Sequence, residues 1–259
     1  RLVAILSRED WDLKEVLDVV RLDPVLTGKV LGAANSASSG AQGKFLEVGD
    51  AVRRIGPRTV VGLALATGVK GRLSTALPQF GLEEGELWNH SVAALLAAEL
   101  VGMHFHLGPS TAAVTAALLH DVGKVVMARF LDRETLDFLA LARVEGGDTA
   151  RAAELEILSV SHGELGALIA AHWGMPEEIV RAVQYHHEIG QAPRAFRRDA
   201  AIVQLADAAA KVVAPPHHPA SEDALELEQA LVELGLDREG FPAFCEAVRT
   251  RFQKLGQSF

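Results

Sequence analysis

Apolar residues recur along this chain at helical rather than strand spacing. Leu13, Val16, Leu17 and Val20 fall on one stripe and predict an amphipathic helix over residues 9–20. Asp23 followed by Pro24 predicts a capping carboxylate with proline at the first helical position, the helix running to about residue 34. A polar loop over 36–43 follows. Next come a short helix over 50–55, stopped by Gly56, and one over 57–69 with Val60, Leu63, Leu65 and Ala66 apolar. Residues 71–81, with Pro78, read as a weak connection between a front and a rear part. Beyond it helices are predicted over 83–103, 110–121, 133–143, 149–158, 162–173, 176–187, 197–213, 221–234 and 238–255. Gly123 is expected to close the second of these in a left-handed conformation, and Ser221 to cap the 221–234 helix. Gly146-Gly147 and Pro215, Pro216 and Pro219 mark breaks. No stretch alternates with period two, so the expected fold class is all-α. The expected divisions are a front helical subdomain over 1–75, a core over 80–213 and closing helices over 220–259.

Composition narrows the picture. Of 259 residues, 49% are hydrophobic, enough for a core and too many for global disorder. Aromatics are only 5%, while Ala and Leu are abundant, which favours close-packed helices over an aromatic-rich sandwich. A net charge of -9 argues against nucleic acid as a partner. Arg194, Arg197 and Arg198 are read as a solvated helix start. The single cysteine, Cys245, forbids an intrachain disulfide and any cysteine-rich zinc site, and a reducing cytoplasm is the expected compartment. No apolar run is read as reaching the roughly 20 residues that span a bilayer, the richest, 92–103, carrying Glu99. No membrane partner is therefore expected. The chain opens on Arg1 rather than methionine, so residues upstream are expected.

The chemistry-bearing positions are His90, the pair His120-Asp121, His162, the pair His186-His187, and Asp207. Imidazole and carboxylate suit first-row divalent metals. Adjacent helical residues project about 100° apart, so a His-Asp pair at a helix end can reach one ion or bridge two. His162, His186, His187 and Asp207 each continue an apolar stripe, and groups this polar on an inward face need partners. The plainer alternative for each, taken singly, is a hydrogen-bonded core residue. Asp207 and Lys211, four apart, also fit a surface ion pair. His104, His106, His172, His217 and His218 are read as structural or solvent-facing, and Trp88, Trp173 and Phe130 as core packing. Lys124 is a candidate phosphate contact.

The stretch Leu118-Leu119-His120-Asp121-Val122-Gly123-Lys124 resembles the signature of the HD superfamily of metal-dependent phosphohydrolases. Asp23-Pro24-Val25-Leu26-Thr27, Ala34-Asn35-Ser36-Ala37, Asp50-Ala51, Ile55-Gly56, Leu87-Trp88-Asn89-His90-Ser91, Trp173-Gly174-Met175-Pro176 and His186-His187-Glu188 resemble the HDOD family, the HD-related output domains of bacterial signalling proteins. This resemblance runs from about residue 10 to 210. It implies an N-terminal helical bundle packed on an HD-like helical core, and a regulatory role through protein partners. It further implies a basic ligand set of His90, His120, Asp121 and Asp207. The related HD-GYP phosphodiesterases add histidines for a second metal where His162, His186 and His187 stand. Their Gly-Tyr-Pro signature is absent, since His186-His187-Glu188 continues as Ile189-Gly190-Gln191.

Three functions follow as expectations. The first is a signalling module acting through protein interactions, with a retained or vestigial metal site. The second is a phosphohydrolase using one or two divalent ions of Fe, Mn, Zn or Ni. The third is a sensor that binds a nucleotide without turnover.

Overall fold

The computed structural model describes residues 2, 5, 8, 11–22, 24–36, 45, 47–145, 150–215 and 224–256. The expected Asp23 and Ser221 caps, the body of the 36–43 loop, the Gly146-Gly147 break, Pro216, Pro219, His217 and His218 lie outside the described residues. Among the described residues the elements are α-helical, joined by three single 3-10 turns and one isolated bridge between Leu77 and Leu82. The chain divides into two compact units, Arg1–Val69 with Thr250–Phe259, and Lys70–Arg249.

The first unit contains α1 (Leu13–Arg21), α2 (Pro24–Ser36), α3 (Val48–Ile55) and most of α4 (Pro57–Leu73). The Asp12 side chain accepts from the Lys14 amide at 3.1 Å and starts α1, which places Val16 and Val20 in the core. The Thr27 hydroxyl donates to the Val20 carbonyl at 2.9 Å and joins the start of α2 to the end of α1. Leu2, Ile5, Leu26, Val30, Ala34, Ala51, Val52, Val60 and Leu63 belong to the same core. Gly56, at φ 82°, ends α3 as its sequence predicts.

The second unit is built from α5 (Glu86–His104), α6 (Thr111–Leu119), α7 (Val122–Phe130), α8 (Arg133–Glu145), α9 (Ala150–Leu158), α10 (His162–His172), α11 (Glu177–Gln184), α12 (Arg194–Val213), α13 (Ala224–Leu234) and the larger part of α14 (Phe241–Gly256). α12 is its axis: α5, α6, α11 and α13 all pack against it. Ala200, Ala201, Ala206, Ala209 and Ala210 are buried on α12, and Ala93, Ala94, Ala97 and Ala98 on α5. Small side chains on both helices bring polar groups carried between them within reach of one another. Cys245 is buried near the start of α14, and burial pushes its thiol up to about 11.

Several sequence expectations change. The helix predicted over 110–121 stops at Leu119, and a further helix, α7, begins only three residues on. Asp121, at φ -97° and ψ 5°, interrupts the run. Gly123 is therefore no left-handed stop but a member of α7. A Cβ there would lie 2.0 Å from the His162 carbonyl oxygen and 2.8 Å from its carbon, so only glycine lets α7 approach α10 this closely. The helix expected through residue 187 ends at Gln184, leaving His186 and His187 in the turn that follows. Thr111–Phe130 is long and apolar enough to cross a membrane by length and composition, contrary to the reading that no run reaches that length. It is 67% buried inside the fold and carries His120, Asp121 and Lys124 at its middle, as a core helix pair does. Phe130, the last residue of α7, is 76% exposed, and Trp173, at the end of α10 where the chain turns through Gly174, is 38% exposed; neither is the core residue expected.

Replacing Gly123 with alanine forces α7 away from α10. We expect a loss of about 3 kcal/mol, the upper end for overpacking because the obstacle is backbone. Urea denaturation of Gly123→Ala checks this. A midpoint equal to that of the parent would show that the two helices separate without cost.

Candidate metal centre

Each element brings one or two donors to the same place. α5 supplies His90, the break between α6 and α7 supplies His120 and Asp121, and the first turn of α10 supplies His162. The turn after α11 supplies His186 and His187, and α12 supplies Asp207. α10 starts where it does because of a capping box. The Ser161 hydroxyl accepts from the Glu164 amide at 3.2 Å, and the Glu164 carboxylate accepts from the Ser161 amide at 2.8 Å. Gly163, one residue on, leaves the surface open to the chain after α11, where a Cβ would meet the Gln184 carbonyl at 3.1 Å.

All seven predicted residues meet in one cluster. His90 Nε2 lies 3.2 Å from His120 Nε2, 3.0 Å from Asp207 Oδ1 and 3.8 Å from Asp121 Oδ2. His120 Nε2 lies 3.6 Å from both Asp121 Oδ2 and Asp207 Oδ1. On the other side of Asp121, its Oδ1 lies 3.3 Å from His162 Nε2, which is 3.1 Å from His187 Nε2. The His186 ring sits between, 5.0 Å from His120 and 4.0 Å from His187, centroid to centroid. Two donor sets result, His90 with His120 and Asp121, and His162 with His186 and His187, and the Asp121 carboxylate turns one oxygen to each.

Tautomers follow from the acceptors. Nδ1 of His120 donates to the Ala117 carbonyl at 2.7 Å, and Nδ1 of His186 to the Val183 carbonyl at 2.7 Å. Nδ1 of His162 donates to Glu154 at 2.7 Å, and Nδ1 of His187 to Glu226 at 2.8 Å. A carbonyl or ionised carboxylate oxygen only accepts, and burial pushes the Glu226 carboxyl up to about 7, so above that pH each of these rings holds its proton at Nδ1 and, when neutral, turns a lone pair inward at Nε2. The 3.1 Å contact of His162 with His187 is then lone pair against lone pair. The Asp121 Oδ1 and His186 Nε2 atoms are buried without a hydrogen-bond donor, and the 3.3 Å approach of His162 supplies none because its proton is on the far nitrogen. Donor type, convergence and orphaned lone pairs fit a cation.

The ionisation of these groups reflects the same crowding. Burial, and then the neighbouring imidazoles, hold His186 and His187 well below 6.5; burial also lowers His90, against the pull of Asp207. Burial opposes charge on His120 too, but Asp121 and Asp207 outweigh it and raise that ring. Burial favours neutral aspartates, yet Lys124 with the histidines holds Asp121 well below 3.8, and Lys211 with His120 and His90 does so for Asp207. Lys124 Nζ lies 2.8 Å from Asp121 Oδ2, and Lys211 Nζ 2.9 Å from Asp207 Oδ2. The Asp207–Lys211 pair read from the sequence is thus present, but its aspartate end is buried rather than on the surface.

Residues 1–189 match the HDOD domain. The chain belongs to the HDOD family. The HDOD match takes in six of the seven clustered residues; Asp207 lies past its end and joins through the fold. An uncharacterized protein of Treponema pallidum (strain Nichols) is 26% identical over 196 residues, 74% of this chain; the chain spans 37% of that relative's length. Among solved structures, an HDOD domain protein with unknown function from Geobacter sulfurreducens superposes with a TM-score of 0.76 at 24% identity, over 98% of this chain and 90% of that one. A protein of Shewanella amazonensis SB2B named "Putative phosphohydrolase" gives 0.72 at 23%, over 99% and 91%. One of Marinobacter aquaeolei VT8 named "Putative signal transduction protein" gives 0.73 at 20%, over 99% and 56%. These structures share the HDOD fold.

Two members of the cluster escaped sequence reading. Glu154 is fully buried on α9 and accepts from both the backbone N–H and the Nδ1–H of His162, at 2.6 and 2.7 Å. Glu226, on α13, accepts from His187. Of the remaining histidines, His104 stacks near Phe105 and Phe244, while His106 and His172 are exposed, as structural or solvent-facing residues should be. Trp88 is partly buried with Lys70 over its ring at 5.6 Å.

Below about pH 6.5 the unfolded chain takes up protons at His90, His186 and His187 that the metal-free fold refuses. Each of the three removes up to about 1.4 kcal/mol of stability per pH unit, while His120 and Glu226, whose carboxyl burial pushes up to about 7, each return at most that amount. Asp121 and Asp207 act in the same direction but only once pH falls below 3.8. Chelator-treated protein is expected to be less stable to urea at pH 5.5 than at pH 7.5. Equal or greater stability at pH 5.5 would contradict neutral, buried imidazoles.

Proposed function

We propose that this chain is a metal-dependent phosphohydrolase of the HD type. On this reading it holds two divalent transition-metal ions, one on His90, His120, Asp121 and Asp207 and one on Asp121, His162, His186 and His187. The observation that supports it most is the inward-facing Nε2 of four imidazoles, each ring fixed by a hydrogen bond on the opposite nitrogen. An abandoned site has no need of that arrangement, and its orphaned atoms cost free energy without an ion. A divalent ion supplies Lewis acidity toward a phosphoryl oxygen and lowers the pKa of bound water.

The chain's own residues do the rest. Asp121 and Asp207 stay ionised under the influence of Lys124, Lys211 and the histidines, so both are ready as anionic ligands at neutral pH. Lys124, largely buried beside Asp121, would be the cation nearest a phosphate oxygen bound at this site. The Nδ1 protons of His120, His162, His186 and His187 stay on outward hydrogen bonds throughout, so the inward nitrogens are not proton carriers. The lack of a Gly-Tyr-Pro signature turns the substrate away from the cyclic dinucleotides of the HD-GYP enzymes and toward simpler phosphomonoesters or nucleotides.

A second reading, an HDOD module signalling through protein partners, is supported by the first unit. Arg1–Val69 forms a helical core of its own, and the metal-donor groups found among the described residues all lie in Lys70–Arg249. In that reading ion occupancy sets the state of the output surface.

Metal-free protein reloaded with Mn²⁺ is expected to take up about two ions per chain and to release phosphate from a panel of phosphomonoesters and nucleotides. His120→Ala should lower turnover by about 10²-fold or more. Two ions without turnover would favour the signalling reading, and failure to take up any ion would remove the proposal.

A further inference from the structure

The four fixed imidazoles are not held alike. His120 and His186 each find a backbone carbonyl three residues back, Ala117 and Val183, an acceptor that their own turn provides. His162 and His187 draw on carboxylates 8 and 39 residues away, Glu154 and Glu226. Both carboxylate-backed rings belong to the second donor set, which has three imidazoles and only a share in Asp121. The first set has Asp207 as well. A carboxylate behind an imidazole makes its inward nitrogen a stronger donor and supplies negative charge one bond removed from the ion.

We propose that Glu226 is a positioning residue for the second ion, acting through His187, and that α13 is therefore part of the metal centre although it lies beyond the stretch that matches the family. This rests on the two-ion reading. Glu226 is well placed for that work: its two oxygens lie 2.8 and 2.9 Å from His187 Nδ1, and only 15% of its side chain is exposed. The trio of His187, Asp207 and Glu226 also has the spacing of an ion site, but two features exclude one. His187 Nδ1 carries a proton, and the Lys211 ammonium already stands 2.9 Å from Asp207 Oδ2. Glu226 thus faces a ligand rather than an ion. Glu154 plays the matching part for His162 but also holds the backbone N–H at the head of α10, so its removal disturbs the helix as well as the ligand.

The test uses Glu226→Ala, which removes acceptor and charge, and Glu226→Gln, which retains an acceptor oxygen. Mn²⁺ binding is followed by chelator competition and by metal content after dialysis. In Glu226→Ala one of two binding steps is expected to weaken by about 10–100-fold while the other stays at the parent value, with Glu226→Gln between. Nitrogen NMR of the metal-free proteins at pH 8.5, above the Glu226 carboxyl that burial pushes up to about 7, is the second readout: His187 should hold its proton at Nδ1 in the parent and lose that preference in Glu226→Ala. Unchanged binding steps in both variants, or an unchanged His187 tautomer, would overturn the role of Glu226. A parent that binds no Mn²⁺ defeats the two-ion reading instead, while the tautomer measurement still judges Glu226.

Discussion

Four Nδ1–H donors, on His120, His162, His186 and His187, are committed to acceptors at the rim of one buried cluster. Everything else at the centre follows from that commitment. The inner nitrogens have no protons of their own to share when the rings are neutral, so they cannot satisfy one another, nor Asp121 Oδ1. Buried, such an arrangement is unfavourable by itself, and on the proposed reading two divalent cations would turn its unpaired atoms into ligands. Lys124 and Lys211 offset the two aspartate charges meanwhile, one ammonium to each carboxylate.

The fold serves this cluster by close approach. Glycine at 123 lets α7 touch the backbone of His162, and glycine at 163 opens α10 to the turn that bears His186 and His187. The capping box at Ser161 fixes the residue at which α10 begins, and so which side chain heads it. Alanines on α5 and α12 bring His90 and Asp207 within 3.0 Å of each other from two long helices. Each device is backbone geometry or small-residue packing, which side-chain chemistry alone would not reveal.

Much of this was legible in the sequence, for identifiable reasons. Helical periodicity carries the fold class, and His90, His120, Asp121, His162, His186, His187 and Asp207 stand out because imidazoles and carboxylates on inward faces demand an explanation. What escaped did so because it lacks a local signature. Glu154 and Glu226 reach their histidines from 8 and 39 residues away, and in sequence each is one more glutamate in an Ala/Leu/Glu helix. Gly123 is ambiguous by nature: glycine serves both a left-handed stop and a tight contact, and only the neighbour across the gap decides. The end of α11 at Gln184 was hidden because His186 and His187 continue its apolar stripe. Phe130 and Trp173 were misplaced because both are large and apolar yet sit at helix ends, where the chain turns away from the core.

The central claim is that Asp121 stands between two ions. The most direct measurement is anomalous diffraction at the manganese edge from crystals grown with Mn²⁺. The account predicts two peaks about 3.5–4 Å apart, one on each side of the Asp121 carboxylate. The Nε2 atoms of His90 and His120 should face one peak, and those of His162, His186 and His187 the other. Peaks remote from Asp121, or histidines turned so that Nδ1 points inward, would contradict it.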